Sequence, residues 1–361
     1  MKKSLIALAV LAASGAAMAQ SSVTIWGIVD ATYAMGNGSV SDRTRLTNSG
    51  YNSSRLGFRG VEDLGGGMTA GFWLEAGVNN DDGSGAATSN NNQAAAGALA
   101  DPRLQGLTFN RRSTVSVGGN WGEVRLGRDY TPQFWSLTAF DPFGTNGVGT
   151  TQTLNSSAGG TTTIRASNSI GYMYGMAFNG NSFTMAPGFN VFAQTYFGEN
   201  VSSAANKKDG SGMAIRVGYG AGPARLAAAF SETKFLAGNI RTTNLAGSYN
   251  LGAANLIAHW NQDKNSTSGA KQTGYLVGAT APMGAGELRT SYSTSESSAG
   301  AKPSTDKFAI GYVHNLSKRT ALYGTYARVS NSGGASQALN GSATAANNNS
   351  TGFDLGVRHS F

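Results

Sequence analysis

The sequence contains no cysteine, and only 7 prolines and 3 histidines among 361 residues. No disulfide can hold an exported form of this chain together, so another kind of closure is needed. A closed ladder of backbone hydrogen bonds would supply it. Long apolar runs are also missing. Stretches such as Leu226 to Phe230 last only a few residues before a polar one. Such runs exclude a helical membrane protein, because a spanning helix needs about 20 apolar residues. They do not exclude a β-barrel, whose strands need only about 9–11 residues with polar ones alternating. What is abundant suits a barrel: 51 glycines, and many Asn, Ser and Thr.

The first residues have the three regions of a secretory signal: Lys2 and Lys3, the short apolar run Leu5 to Ala13, and the small-x-small site Ala17-Met18-Ala19. A signal peptide over 1–19 and a mature domain over 20–361 are expected. The formal charge is +8, and loss of Lys2 and Lys3 lowers it to +6. Basic balance can mean nucleic acid or anionic lipid. Here the charges stand singly along alternating segments and the chain is exported, so no nucleic-acid partner is expected and a polar lumen fits better.

Alternation recurs along the whole mature chain, interrupted by connections of two kinds. Short ones, rich in turn-forming residues, fall at 62–68, 118–123, 179–182, 220–224, 250–254, 283–287 and 315–320. Long polar ones fall at 35–53, 80–107, 130–164, 198–211, 235–240, 263–272, 296–306 and 330–350. These seven turns and eight loops join sixteen strands. The predicted fold class is therefore all-β: a transmembrane antiparallel β-barrel of 16 strands with long extracellular loops and short periplasmic turns, in the bacterial outer membrane. A barrel this wide leaves an aqueous channel.

Alternation also assigns faces. Leu56 and Phe58 oppose Arg55, Gly57 and Arg59; Phe72 and Leu74 oppose Trp73 and Glu75; Val124 and Leu126 oppose Glu123 and Arg125. An Arg facing lipid near the midplane costs about 2–4 kcal/mol, so the charged face is the lumen. Tyr33, Tyr172, Tyr174, Tyr219, Tyr249, Tyr323 and Tyr326 are candidates for the interfacial girdles. The final strand alternates Phe353, Leu355, Val357, His359 and Phe361 on one face, and Phe361 is expected beside Val23 and Ile25 at the closing seam.

Several stretches together resemble the general porins of betaproteobacteria: SVTIWGIVD at 22–30, SRLGFRGVEDLGGG at 54–67, FNRRSTV at 109–115, GEVRLGR at 122–128, GYVHNLSKRT at 311–320 and GVRHSF at 356–361. The resemblance covers the whole mature chain. It implies a homotrimer in outer-membrane lipid and lipopolysaccharide, a third long loop folded into the lumen, and preference for anions. It also implies that Phe361 is an assembly signal read by the outer-membrane assembly machinery. The sequence agrees about the loop on one point. Phe134, Trp135, Leu137, Phe140 and Phe143 would be wasted in a solvated connection, and packing against the inner wall would bury them.

By the same resemblance the pore constriction holds Arg55, Arg111 and Arg165 opposed by Glu75, with Asp141 of the long loop helping to set a transverse field. Alternation supports Arg55, Glu75 and Arg165. It disagrees about the arginine pair: with Val115 and Val117 facing lipid, Arg112 rather than Arg111 falls in the lumen, unless a β-bulge intervenes. Both remain candidates. Arg59, Arg125, Arg128 and Asp30 read as wall residues. The function expected is a water-filled passive diffusion channel for small anions and hydrophilic solutes, with no cofactor.

Three alternatives carry less. A secreted, Gly/Asn-rich adhesive β-solenoid would show a fixed short repeat period, and the spacing here is irregular. A substrate-specific channel for sugars would need an aromatic slide, for which Trp26 and Trp73 are the inward candidates. An outer-membrane enzyme would need a base, and His259, the one luminal histidine, has no Ser or acidic partner two residues away on its face. His314 lies at a turn and His359 on the lipid-facing parity. The acidic pairs Glu62-Asp63 and Asp81-Asp82 lie in connections and read as solvated charge, so no metal site is expected.

Overall fold

The computed structural model describes residues 22–86, 88, 92, 106–155, 162–178, 183–185, 187–199 and 205–361. The expected signal at 1–19, the turn at 179–182 and part of the 80–107 connection lie outside these residues.

Sixteen strands among the described residues form the barrel: β1 (Ser22–Gly38), β2 (Arg55–Gly65), β3 (Met68–Asn79), β4 (Arg112–Gly119), β5 (Gly122–Tyr130), β6 (Arg165–Tyr174), β7 (Gly188–Tyr196), β8 (Gly212–Ala221), β9 (Ala224–Thr233), β10 (Ile240–Asn250), β11 (Asn255–Asn265), β12 (Lys271–Met283), β13 (Gly286–Ser297), β14 (Ser304–Asn315), β15 (Thr320–Ser332) and β16 (Ser350–Ser360). Each pairs antiparallel with the next, and β16 pairs back onto β1, from Ser360 with Ile28 to Ser350 with Gly38. The ladder has no free edge, which a spanning sheet requires because lipid offers backbone groups no partner.

The lipid belt follows the alternation. In β8, Met213, Ile215, Val217 and Tyr219 are exposed while Ala214 and Arg216 are buried inward. At the short-turn end, the hydroxyls of Tyr172 and Tyr312 donate to the carbonyl oxygens of Trp121 and Met283, at 2.6 and 2.8 Å. These rings anchor one interface as amphipathic aromatics do. The first turn depends on glycine: Gly65, Gly66 and Gly67 have φ of 80°, 62° and 77°.

Three expectations need correction. Part of the connection at 35–53 is strand: Arg43–Asn48 pairs with Gly36 to Ala31 of β1. This hairpin is largely exposed, so no one-sided apolar pattern marks it in the sequence. Tyr323 is not a girdle residue. It shares the buried face of Ala321, Thr325 and Ala327, whereas Tyr326 faces out; strand parity forbids both from facing lipid. At the seam, Phe361 exchanges hydrogen bonds with Gly27, both 3.1 Å. Val23 and Ile25 pair instead with Gly60 and Phe58 of β2.

The third long loop enters the lumen. Thr131 precedes helix α1 (Pro132–Ala139), with proline in the first turn where its missing N–H costs nothing. Phe134 and Trp135 pack with Tyr130, Met173 and Phe192. Phe140 fills a patch of Ala227, Ala246, Ile257 and Leu276 on the inner wall. Phe143 packs with Val148, Ala309, Ala327, Val329 and Leu339. Polar stitches run alongside. Arg216 Nε donates to Ser136 Oγ (3.1 Å), Asn244 to the Gln133 carbonyl oxygen (3.1 Å), and Lys307 Nζ to that of Val148 (3.1 Å). The Val148 N–H donates to Asp354 (2.7 Å).

His259 belongs to this clasp. Its Nδ1 is 3.1 Å from the Phe140 carbonyl oxygen, which can only accept, so Nδ1 carries the proton. Nε2 then accepts from the Thr153 hydroxyl at 3.0 Å. Phe140→Ala should weaken loop docking by about 3 kcal/mol. Faster proteolysis of the loop with an unchanged barrel melting temperature is the expected result.

Candidate functional site

The third loop narrows the lumen to a throat of about 530 Å³, lined on the wall side by Arg55, Arg111, Tyr130 and Arg165 and on the loop side by Phe134, Thr138, Asp141 and Asn146. Glu75 sits at the centre of the wall cluster with no exposed surface. Its Oε1 accepts from Arg55 Nη1 (3.2 Å) and Arg111 Nε (2.5 Å), and its Oε2 from Trp73 Nε1 (3.1 Å). Tyr130 completes the cluster: its hydroxyl accepts from Arg111 Nη2 (2.6 Å) and Arg165 Nη2 (2.8 Å), and the Arg165 guanidinium lies 4.4 Å from the ring centre. Arg165 Nε also donates to the Arg111 carbonyl oxygen, at 2.9 Å.

The disagreement over Arg111 and Arg112 resolves without a bulge in β4. Glu75 pairs with Arg112 in the ladder, so Arg112 faces the lumen as alternation requires. Arg111 lies one residue before the strand begins, and free of its parity turns its side chain to Glu75 as well. A bulge does occur one hairpin later, where the register shifts between Gly127 and Asp129. There Gly127 has φ of 126°, and a Cβ would lie 2.1 Å from the Ser113 carbonyl oxygen, so only glycine fits.

Arg112 and Arg111 enter different clusters. Arg112 lies 3.6 Å from Asp129, and Arg125 pairs with Glu123 (2.8 Å) and Asp129 (3.2 Å). That tier matches two guanidiniums with two carboxylates. The tier around Glu75 sets three guanidiniums against one carboxylate. The excess positive charge therefore lies at the throat. Arg128 anchors β5 through the Asn110 carbonyl oxygen and Ser167.

Asp141 is drawn in on the loop side. Its oxygens accept from the backbone N–H groups of Phe143 (2.9 Å), Thr145 (3.1 Å) and Thr151 (3.0 Å). Burial raises its carboxyl above the usual range, and these N–H groups oppose the rise. It shapes the loop, with its charge spread over three amide dipoles. Trp26 and Trp73 pack edge to face, 5.1 Å between centres, and Arg112 and Arg59 lie over the Trp73 ring at 4.6 and 5.4 Å. The two rings offer no open slide.

Sequence reasoning missed Tyr51, Tyr130, Arg289 and Arg358 among the throat residues. Arg358 was accessible by parity, lying opposite the face of Val357 and His359. Among the described residues, no group of three or more His, Asp or Glu is placed to hold a metal ion. Glu62, Asp63, Asp81 and Asp82 are exposed.

A closed barrel with a lipid-facing apolar belt and a charge-lined throat is an outer-membrane channel. The profile of the family described as Gram-negative porin matches residues 5–335. The chain is 39% identical over 380 residues to outer membrane porin protein 32 of Delftia acidovorans, covering all of both chains. Its fold superimposes on the anion-selective porin from Comamonas acidovorans with a TM-score of 0.78, at 34% identity, over 95% of this chain and 100% of that one. The trimer form of OmpT from Vibrio cholerae shares the fold at 13% identity and a TM-score of 0.63, over 94% of this chain and 99% of that one. The chain belongs to the Gram-negative porin family. It is an outer-membrane porin whose lumen is a diffusion channel.

Glu75→Gln should lower barrel stability by about 3–5 kcal/mol, because it leaves the buried guanidiniums without their counter-charge. A fall in the temperature at which the folded form is lost on unboiled gels checks this; an unchanged temperature contradicts it.

Proposed function

We propose that this porin is a passive, non-enzymatic pore that prefers small anions. The observation that carries the reading is the charge imbalance of the Glu75 cluster on the throat wall, three guanidiniums against one carboxylate. Excess positive charge in a narrow, low-dielectric throat concentrates anions and lowers their barrier to passage. Arg55, Arg111 and Arg165 supply the field. Glu75 fixes Arg55 and Arg111 and cancels one charge, and Tyr130 holds Arg165. Arg112 belongs to a balanced tier and contributes less. Asp141 gives the loop its shape and a weaker opposing charge. The relative from Comamonas acidovorans is described as anion-selective, which supports the same preference here.

The rest of the biology follows the resemblance. Residues 1–19 are a signal peptide removed on export. The mature chain assembles as a homotrimer among outer-membrane lipid and lipopolysaccharide. Phe361, paired with Gly27 at the seam, is read by the assembly machinery.

Permeability ratios from planar bilayers test the assignment of roles. Arg55→Ala, Arg111→Ala and Arg165→Ala should each lower the chloride-over-potassium ratio by roughly two- to five-fold, and Arg112→Ala by less. A larger effect at Arg112 than at Arg111 would refute the assignment.

A further inference from the structure

The throat has a further wall segment beside the Glu75 cluster, outside the regular barrel strands and joined to Arg55, whose Nε donates to the Ser53 carbonyl oxygen at 2.9 Å. It is the segment 49–54, between Arg43–Asn48 and β2. The Ser49 N–H donates to the Asp30 carbonyl oxygen (3.1 Å) and the Gly50 N–H to Thr32 Oγ1 (3.0 Å), and one carboxylate fixes the middle of the segment. Asp30, fully buried in β1, accepts the backbone N–H of Tyr51 (2.9 Å) and Asn52 (2.6 Å) on Oδ2. On Oδ1 it accepts the hydroxyls of Tyr323 (2.5 Å) and, more loosely, Thr32 (3.4 Å). The Asp30 N–H donates to Ser54 Oγ at 3.0 Å. The segment also reaches the third loop, where Ser53 donates to Asn146 Oδ1 at 2.7 Å.

What this anchor presents is Tyr51. The guanidiniums of Arg289 and Arg358 lie 4.6 and 5.2 Å from its ring centre, and Arg289 Nη2 donates to its hydroxyl at 3.2 Å. Stacking on an aromatic face orients a guanidinium while leaving its edge N–H groups free for an anion. Arg289 also pairs with Glu287 at 2.8 Å. Arg358 bonds Ser360 Oγ (2.8 Å) and more loosely the Arg319 carbonyl oxygen (3.4 Å). Its Nε is buried with no hydrogen-bond partner among the described residues. Both arginines line the same channel segment as Arg55, Arg111 and Arg165.

We propose that Asp30 is a positioning residue for this second anion-contacting wall: it holds Tyr51 as a shelf for Arg289 and Arg358, so that a permeating anion meets a second set of guanidiniums in the same channel segment as the first. The inference rests on the anion-preferring reading of the pore.

Single-channel conductance and permeability ratio of the full-length porin test it, in wild type, Tyr51→Ala, Asp30→Asn, the double variant, Tyr51→Phe and Arg358→Ala. An amide at position 30 cannot accept with both of its ends, so it releases one side of the anchor. Tyr51→Ala and Asp30→Asn should each change conductance and lower the anion-over-cation ratio by roughly two-fold. The double variant should match Tyr51→Ala, because both changes act through one ring. Tyr51→Phe, which keeps the stack, should stay near wild type, and Arg358→Ala should follow Tyr51→Ala.

Multiplying effects in the double variant would overturn the proposal. So would a loss of heat stability in Asp30→Asn with wild-type permeation. If Asp30→Asn does not assemble, equal ratios for wild type, Tyr51→Ala and Arg358→Ala overturn it. A cation-preferring wild type would refute the anion reading alone, and the conductance pattern of the same channels would still decide whether Asp30 sets this wall.

Discussion

Closure of the hydrogen-bond ladder is the constraint from which the rest follows. Inside a bilayer a strand edge has no water to turn to, so β16 must find β1. It does so over eleven residue pairs, Ser360 with Ile28 through Ser350 with Gly38. Closing sixteen strands makes a lumen too wide for wall side chains to fill. The chain narrows it with its own third loop, and the loop needs a place to lie. That place is a patch unusual for a pore wall, Ala227, Ala246, Ile257 and Leu276, which receives Phe140. The inner wall is thus apolar under the loop and charged across from it.

The charged side is not a set of independent arginines. Glu75 draws Arg55 and Arg111 together, and Tyr130 holds Arg111 and Arg165 at one hydroxyl. A buried carboxylate lets like charges stand close without leaving the throat neutral. The tier built on Arg112, Arg125, Glu123 and Asp129 shows the contrast, because there the signs balance. Asp141 is quieter than a free carboxylate, since three backbone N–H groups already hold it.

Much of this was legible in the sequence because a barrel strand has a two-residue period and a costly lipid face. Parity placed Arg55, Glu75 and Arg112 correctly, and spacing of turns and loops gave the strand number. Parity failed where the strand stopped. Arg111 lies just outside β4 and obeys no alternation, and only family resemblance named it. Tyr51 lies in the segment 49–54, folded by contacts with Asp30 and Tyr323, which are 21 residues before it on β1 and on β15. No local pattern announces such a contact. Tyr323 was misplaced for the opposite reason: its residue type suggested an interface, while its parity with Ala321 and Thr325 already pointed inward.

The central claim is that the throat carries net positive charge and sorts ions by it. The most direct measurement is the zero-current potential of the wild-type pore under a potassium chloride gradient, repeated at rising mean salt. The account predicts a potential on the chloride side of zero that shrinks as the screening length falls from about 10 Å near 0.1 M toward about 3 Å at 1 M. A potential on the potassium side, or one unchanged by salt, would contradict it.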